Sequence, residues 1–177
     1  GNFRKEIYPA YKETRKEIEP DVKEALNYGH KYMVEKYSAV EANDMEADDL
    51  VAIWAAGCRS VDQEYTVVGI DKDLLQIPGT HYNFVKKEMY YMEQDEADLR
   101  FFKQFLTGDR IDNIQGVHGI GDKKSQKLLE DLSNKERWDC VVEHLGLDRA
   151  IENGHLLYML RSDNDDFEAY AKREGWI

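Results

Sequence analysis

Long apolar runs and cysteine are scarce in this sequence of 177 residues. No stretch of about 18 apolar residues occurs, so no membrane-spanning helix is expected, and the first residues carry no signal-peptide pattern. The two cysteines, Cys58 and Cys140, are typical of free thiols in a reducing compartment, and a disulfide between them is the less favoured alternative. Repeats and low-complexity tracts are also lacking. These absences favour a cytoplasmic globular protein without membrane association, of the usual single-domain size of about 100–200 residues.

An overall excess of positive charge is lacking as well, because 36 acidic residues outnumber 24 basic ones and leave a net charge of −12. A polyanionic partner is then expected only if the charge is patterned locally. The first sixteen residues are basic on balance, and a second basic stretch holds Lys123, Lys124 and Lys127. A solvated acidic surface with incidental lysines is the alternative interpretation.

Seven carboxylates stand in three short clusters: Glu46-Ala-Asp48-Asp49, Asp71-Lys-Asp73 and Asp109-Arg-Ile-Asp112. Each cluster lies at a predicted junction: a helix start, the end of an apolar strand, and a turn after a glycine. Carboxylates are the hard oxygen ligands that Mg²⁺ takes, and paired cations suit phosphodiester hydrolysis. Singly, the clusters are equally compatible with helix-cap acids or an acidic turn. Together they predict a metal-dependent nuclease, with Lys72 pointing away from its two neighbours.

A glycine hairpin, Gly116-Val-His-Gly119-Ile-Gly121, follows the third cluster and leads into a lysine-bearing helix. Glycines permit backbone conformations closed to other residues and let a phosphate approach the amides of a helix N-terminus. The hairpin therefore predicts a grip on a DNA backbone that does not depend on base sequence. A purely structural turn between helices is the alternative.

Hydrophobic periodicity predicts an α/β protein whose sheet carries a helical cap. The expected helices are 21–37 (capped by Asp21), 46–58, 93–107, 122–132, 135–145 and 150–161. The expected strands are 38–41, 65–70 (buried on both faces), and 81–85 with 89–92 as a hairpin or two edge strands. The acidic run at residues 163–166 is expected to be a solvated turn rather than a Ca²⁺ loop.

The motifs resemble the 5′-nuclease family, which includes flap endonucleases, the 5′-nuclease domain of bacterial DNA polymerase I and phage 5′→3′ exonucleases. The matching pieces cover residues 1 to about 130 in the family order. They are Phe3-Arg4-Lys5, Tyr11-Lys12, Arg15, the three acidic clusters with their flanking residues, and the glycine hairpin through Lys123.

This resemblance implies a PIN-like mixed sheet flanked by helices, with a helix-three-turn-helix subdomain that binds DNA. It divides the chain into a partial α/β core with a basic arch segment (1–95) and a helical region (96–177). Two Mg²⁺ or Mn²⁺ ions are implied, the first served by Glu46, Asp48 and Asp49 and the second by Asp71, Asp73, Asp109 and Asp112.

The resemblance also assigns the remaining site residues. Lys12 and Arg15 would contact the scissile phosphate and the 5′ end as catalytic residues. Further DNA contacts are expected at Arg4, Lys5, Gly119, Gly121, Lys123 and Lys124. A K⁺ ion is expected at the backbone carbonyls of Val117 and Ile120.

The implied function is cleavage of DNA, or of RNA in RNA–DNA hybrids, at a 5′ flap, nick or free 5′ end during replication or primer removal, alongside other replication proteins. Two departures qualify it. The family carries two further aspartates and two central strands before the segment that matches residues 1–3, and the arch segment is short and partly acidic. The alternative is therefore a DNA-structure-binding module whose catalysis is impaired.

Overall fold

The computed structural model describes residues 2–177, and its elements follow one another with short connections. The helices are α1 (Phe3–Ile7), α2 (Pro20–Tyr37), α3 (Ala47–Ser60), α4 (Gln94–Thr107), α5 (Asp122–Leu129), α6 (Asn134–Leu145), α7 (Leu147–Leu157) and α8 (Phe167–Arg173). The strands are β1 (Thr66–Val68), β2 (Gly79–Asn83), β3 (Glu88–Met92), β4 (Gly108–Asp109) and β5 (Ile114–Gln115), and a short 3₁₀ helix spans Asp73–Gln76.

The fold contains a three-stranded mixed sheet, as predicted. Strand β2 lies in the centre, parallel to β1 and antiparallel to β3. The predicted hairpin of β2 and β3 is confirmed, with His81 opposite Tyr90 and their rings stacked at 5.3 Å. Helix α3 packs on one face through Ala52 and Ala55, which meet Val67 of β1 in a small core.

The larger core lies among the helices. Its centre is the aromatic face of α4, where Phe102, Phe105 and Leu106 are fully buried beside Trp138 of α6 and Phe167 of α8. The spacing of these residues predicts helix 93–107, and α4 confirms it. Tyr11, from the N-terminal part of the chain, belongs to the same core. The division of the chain at residues 95 and 96 stays a prediction.

Three details of the sequence-based expectations are wrong. Residues 38–41 form no strand, because Ser38 ends α2 in a left-handed conformation with φ of 54°. Asp21 does not cap α2, since the helix already begins at Pro20 and Glu19 precedes it. Strand β1 is buried on one face only: Val67 is buried, whereas Val68 is 60% exposed.

The C-terminal acidic run is a turn, as predicted, with Asp163, Asn164 and Asp166 exposed and Asp165 partly buried. The Asp165 carboxylate accepts hydrogen bonds from the Tyr158 hydroxyl at 2.5 Å and from the Arg161 backbone N–H at 3.1 Å. Asp166 caps helix α8 through the Ala169 N–H. This turn also leads into α8, which the sequence reading did not predict.

Helix α2 stands apart from both cores. None of its eighteen residues is buried, and its apolar positions Val22, Leu26 and Met33 are about half exposed. The segment that carries it leaves the fold after Arg15 and returns before Glu46, where the chain enters α3. No helix within residues 2–177 is long and apolar enough to cross a membrane.

Candidate active site

Six of the seven predicted carboxylates line one cavity of about 70 Å³, together with Lys12 and Arg15. Four chain segments supply them: the start of α3, the loop after β1, the 3₁₀ helix, and the turn between β4 and β5. The six are Glu46, Asp48, Asp71, Asp73, Asp109 and Asp112. Residues that lie up to 66 positions apart in the sequence therefore converge at one place.

Local hydrogen bonds orient two of these carboxylates. Asp71 accepts from the Asp73 N–H at 3.0 Å, which turns the chain from β1 into the 3₁₀ helix. Asp109 accepts from the N–H groups of Ile111 and Asp112 at 2.8 and 3.2 Å, which closes the turn after β4. Both are Asx turns. The spacing of the aspartates in these two clusters therefore reflects the turn as well as a set of possible metal ligands.

The carboxylates repel one another where no cation lies between them. Burial, with repulsion from Asp71, Glu46 and Asp73, raises the pKa of Asp48 to about 6. Burial also raises the pKa of Asp73, against the opposing effect of Lys72. A nearby positive charge reduces the repulsion between clustered carboxylates and lowers their pKa values again. The donor set of six carboxylates fits divalent cations such as Mg²⁺ on chemical grounds.

Basic side chains occupy part of this acidic cluster. Lys12 forms ion pairs with Glu46 and, at 3.6 Å, with Asp112, and Arg15 lies 2.6 Å from the other oxygen of Asp112. Lys72 does not point away as predicted, because its ammonium lies 3.4 Å from Asp109. Across residues 2–177, no group of three or more Asp, Glu, His or Cys side chains is arranged to hold a metal ion.

Asp49 and Arg4 form a buried ion pair beside the other predicted site residues. Asp49 is fully buried outside the cavity and binds the Arg4 guanidinium through both oxygens, at 2.6 and 2.8 Å. It also accepts from the Leu160 and Glu46 N–H groups, so its lone pairs are used within the protein. Arg4 is buried as well and donates to the carbonyls of Leu156 and Tyr158. These contacts do not support the predicted roles of Asp49 as a metal ligand and Arg4 as a DNA contact, and both roles stay predictions.

Two site residues were missed. Tyr11 is 2% exposed, and its hydroxyl lies 3.0 Å from Glu46 and 3.2 Å from Asp112, so it bridges two carboxylate clusters. Gln104 of α4 donates to Asp73 at 2.7 Å and holds the 3₁₀ helix against the larger core. A helical period places Gln104 beside Phe101 and Phe105, but no local signal in the sequence marks either residue as part of the site.

The glycine hairpin lines an open groove of about 800 Å³ that adjoins the cavity at Asp109. A Cβ on Gly116 would overlap the backbone of Thr107 and Gly108, so this position requires glycine. Gly119 has φ of +76° in the following turn, which also favours glycine. Gly121 has neither constraint and precedes α5 as its N-cap.

The other predicted DNA contacts lie on the surface. Lys123 and Lys124 are exposed in the first turn of α5, and Lys5 is exposed on α1. The Val117 carbonyl accepts from the Ile120 N–H at 3.1 Å within the hairpin turn. The roles assigned to these residues stay predictions.

The known proteins that resemble this chain in sequence are DNA polymerases I and flap endonucleases. DNA polymerase I of Rhizobium leguminosarum is 32% identical in an alignment 148 residues long that covers 75% of this chain and 14% of that protein. Flap endonuclease Xni of Shewanella piezotolerans is 29% identical in an alignment 160 residues long that covers 84% of this chain and 62% of that protein. The chain thus spans less than two thirds of the length of these curated relatives.

Solved structures share the fold at low sequence identity. The bacteriophage T5 5′-exonuclease, solved with zinc ions bound, matches with a TM-score of 0.67 at 19% identity, over 88% of this chain and 69% of that one. A T5 flap endonuclease complex with DNA and metal ions matches with a TM-score of 0.67 at 18% identity, over 97% of this chain and 78% of that one.

The family model described as the 5′-3′ exonuclease, N-terminal resolvase-like domain, matches residues 1–104, which is more than half of the chain. The α/β fold with its mixed sheet, the carboxylate cavity and the named relatives agree with this match. The chain belongs to the 5′-3′ exonuclease family.

Proposed function

We propose that the protein containing this chain is a divalent-cation-dependent 5′ nuclease that hydrolyses phosphodiester bonds of DNA at a 5′ flap, nick or free 5′ end. The observation that carries the proposal is the convergence of six carboxylates with Lys12 and Arg15 in one cavity. RNA in RNA–DNA hybrids is a further proposed substrate, because a contact to phosphate does not distinguish the two sugars.

Two Mg²⁺ or Mn²⁺ ions would be held by the six cavity carboxylates, without Asp49. When bound, such ions lower the pKa of a water molecule and offset charge on the phosphate. Glu46 and Asp48 belong with the first ion, and Asp71, Asp73, Asp109 and Asp112 with the second. A K⁺ ion at the Val117 and Ile120 carbonyls would add a phosphate contact in the adjoining groove.

Lys12 and Arg15 would bind the scissile phosphate. They already lie at the cavity, where Glu46 and Asp112 compensate their charge. An incoming phosphate would exchange these ion pairs for contacts to its own oxygens, and Arg15, whose side chain is 50% exposed, is free to reorient. The two residues thereby offset negative charge that increases during hydrolysis.

The DNA backbone would follow the groove along the glycine hairpin. The groove opens at Asp109 of the cavity and passes His118 and Gly119 towards the exposed lysines of α5. Such contacts position a duplex without reading its bases. On this proposal, the DNA backbone is held at α5 and runs along the groove to the carboxylate cavity.

The proposal is tested with Asp71→Asn in the whole protein that contains this chain. Cleavage of a labelled 5′-flap substrate in Mg²⁺ is expected to fall by about 100-fold or more, because one ligand charge is removed. DNA affinity measured in Ca²⁺ is expected to change little. Asp62→Asn is the matched control, since Asp62 lines a different groove at the far end of β1. Full activity of Asp71→Asn, or full activity in excess EDTA, contradicts the proposal.

A DNA-structure-binding module is the second candidate. It is favoured by the absence, across residues 2–177, of three side chains arranged around one ion and by the ion pairs that occupy Glu46 and Asp112. Calorimetric titration with flap DNA in Ca²⁺ separates the two candidates. A binding module holds the flap with no turnover in Mg²⁺ or Mn²⁺, whereas the nuclease cleaves it.

The DNA polymerase I relatives support a place in replication, such as primer removal, in a bacterial or phage-infected cytoplasm. Replication proteins are accordingly the proposed protein partners. Primer removal requires the 5′ nuclease to act where a polymerase has displaced a strand, which is a substrate with a 5′ flap.

A further inference from the structure

Two segments about a hundred residues apart are joined beside the cavity. The basic segment (residues 10–15) carries Lys12 and Arg15, and the acidic turn (residues 109–113) carries two of the carboxylates. The Lys12 N–H donates to the Asp112 carbonyl at 3.0 Å, and the Thr14 hydroxyl donates to the Arg110 carbonyl at 3.1 Å. The Asn113 side-chain amide donates to the Ala10 carbonyl at 2.9 Å.

The backbone is strained on both sides of this junction. Lys12 and Asn113 each have φ of 60°, in the left-handed region. Asparagine tolerates that region, but lysine rarely adopts it. The conformation of Lys12 therefore depends on the bonds around it, namely its own N–H to Asp112 and the Asn113 amide to Ala10 two residues earlier. Strained residues that the surroundings hold in place are typical of functional sites.

We propose that Asn113 is a positioning residue for the reaction. Its amide fixes the Ala10 carbonyl and thereby the direction in which Tyr11 and Lys12 enter the cavity. This inference rests on the proposed nuclease function, and it gives Asn113 a role that is separate from ligand binding. Asn113 does not line the carboxylate cavity. It borders the adjoining groove, and its side-chain amide donates to the basic segment at Ala10.

Asparagine suits this position for two reasons. It accepts a left-handed backbone, and it donates a hydrogen bond from its side chain. Aspartate shares the backbone tolerance but presents only acceptors to the Ala10 carbonyl. Glycine also adopts φ of 60° freely but has no donor. Asn113→Gly therefore removes the bond to Ala10 without adding backbone strain.

The test uses Asn113→Gly in the whole protein, with single-turnover cleavage of a 5′-flap substrate. The cleavage rate is expected to fall by about 10-fold or more, because small displacements of a charged group reduce rates strongly. DNA affinity in Ca²⁺ is expected to change by less than about twofold, since few ground-state contacts are lost. Lys87→Gly is the control, because Lys87 has φ of 58° and lies exposed in the β2–β3 turn.

A double-mutant cycle with Lys12→Ala identifies the route of the effect. If Asn113 acts through the basic segment, Asn113→Gly adds little to Lys12→Ala, whereas independent effects multiply. Amide hydrogen exchange of residues 10–15 is also expected to speed up in Asn113→Gly, with an unchanged melting temperature. An unaltered cleavage rate, multiplying effects or unaltered exchange overturns the inference.

The two hypotheses fail in different ways. An inactive unsubstituted protein contradicts the nuclease proposal, and the exchange measurement then still decides whether Asn113 holds the basic segment. An active unsubstituted protein with a fully active Asn113→Gly variant contradicts the positioning role alone.

Discussion

At the scale of single residues, charge has two opposite uses in this protein. Arg4 and Asp49 pair in the interior, where neither side chain reaches solvent. A few ångströms away, Lys12 and Glu46 pair at the edge of a cavity that an incoming phosphate can enter. The first pair holds α1, α3 and the segment after α7 together. In the second pair, Lys12 and Glu46 can exchange their contact for contacts to a bound ligand.

Asp49→Asn is expected to lower the free energy of unfolding by about 3 kcal/mol, because the buried Arg4 keeps only the more distant Glu46 carboxylate, at 3.7 Å, as counter-charge. Urea denaturation followed by circular dichroism measures this. Asp139→Asn is the control: it breaks an exposed ion pair with Lys135 one helical turn away, which contributes about 0.5 kcal/mol or less. Equal destabilisation by both substitutions contradicts a structural role for Asp49.

Gly154→Ala is expected to cost about 1–3 kcal/mol of stability, since the added methyl group would overlap the buried ring of Phe167 where α7 meets α8. Gly57→Ala in α3 is the matched comparison. Nothing lies within 4 Å of the position of its Cβ, and alanine is the better helix former by about 1 kcal/mol. Thermal unfolding of the two variants should therefore shift in opposite directions.

At the scale of elements, the helices differ in what holds them in place. The aromatic face of α4 lies at the centre of the larger core, whereas α2 has no buried residue at all. Amphipathic helices gain most of their stability from a packed face. Helix α2 lacks this contribution and depends on its own backbone bonds and a proline at its first position.

Replacing Val22, Leu26 and Met33 of α2 by glutamine is expected to leave the global melting temperature within about 2 °C, because exposed substitutions contribute little. The comparison is Leu106→Ala in α4, which removes a fully buried side chain and is expected to cost about 2–5 kcal/mol. A large loss of stability in the α2 variant would show that α2 packs against the fold.

The sequence predicts an element well when the residues that determine it are close together along the chain. The period of Phe101, Phe102 and Phe105 is local, and α4 was predicted almost to the residue. The carboxylate clusters were found because turn chemistry and ligand chemistry require the same residues. The burial of Arg4 and Asp49 comes from contacts about 45 and 110 positions away, so these residues look like ordinary surface charges in the sequence.

At the scale of the whole molecule, the carboxylate cavity couples cation binding to stability. A ligand that binds only the folded protein stabilises it by about 2.7 kcal/mol at a concentration a hundred times its Kd. Adding Ca²⁺ or Mg²⁺ is therefore expected to raise the melting temperature, and EDTA to reverse the increase. The increase should disappear in Asp48→Asn but persist in Asp62→Asn. A melting temperature that is insensitive to divalent cations contradicts cation binding at the cavity.

The mixed sheet carries a consequence for handling the protein. Within residues 2–177, strand β1 pairs with β2 alone, and Val68, Met89 and Tyr91 stand exposed on the face that α3 does not cover. An open strand edge beside apolar side chains is a template for pairing between molecules. Concentrated samples of residues 1–177 alone should therefore self-associate through the sheet, at a place separate from the acidic cavity. Light scattering would then rise with protein concentration, so turbidity has to be measured independently of binding at the cavity.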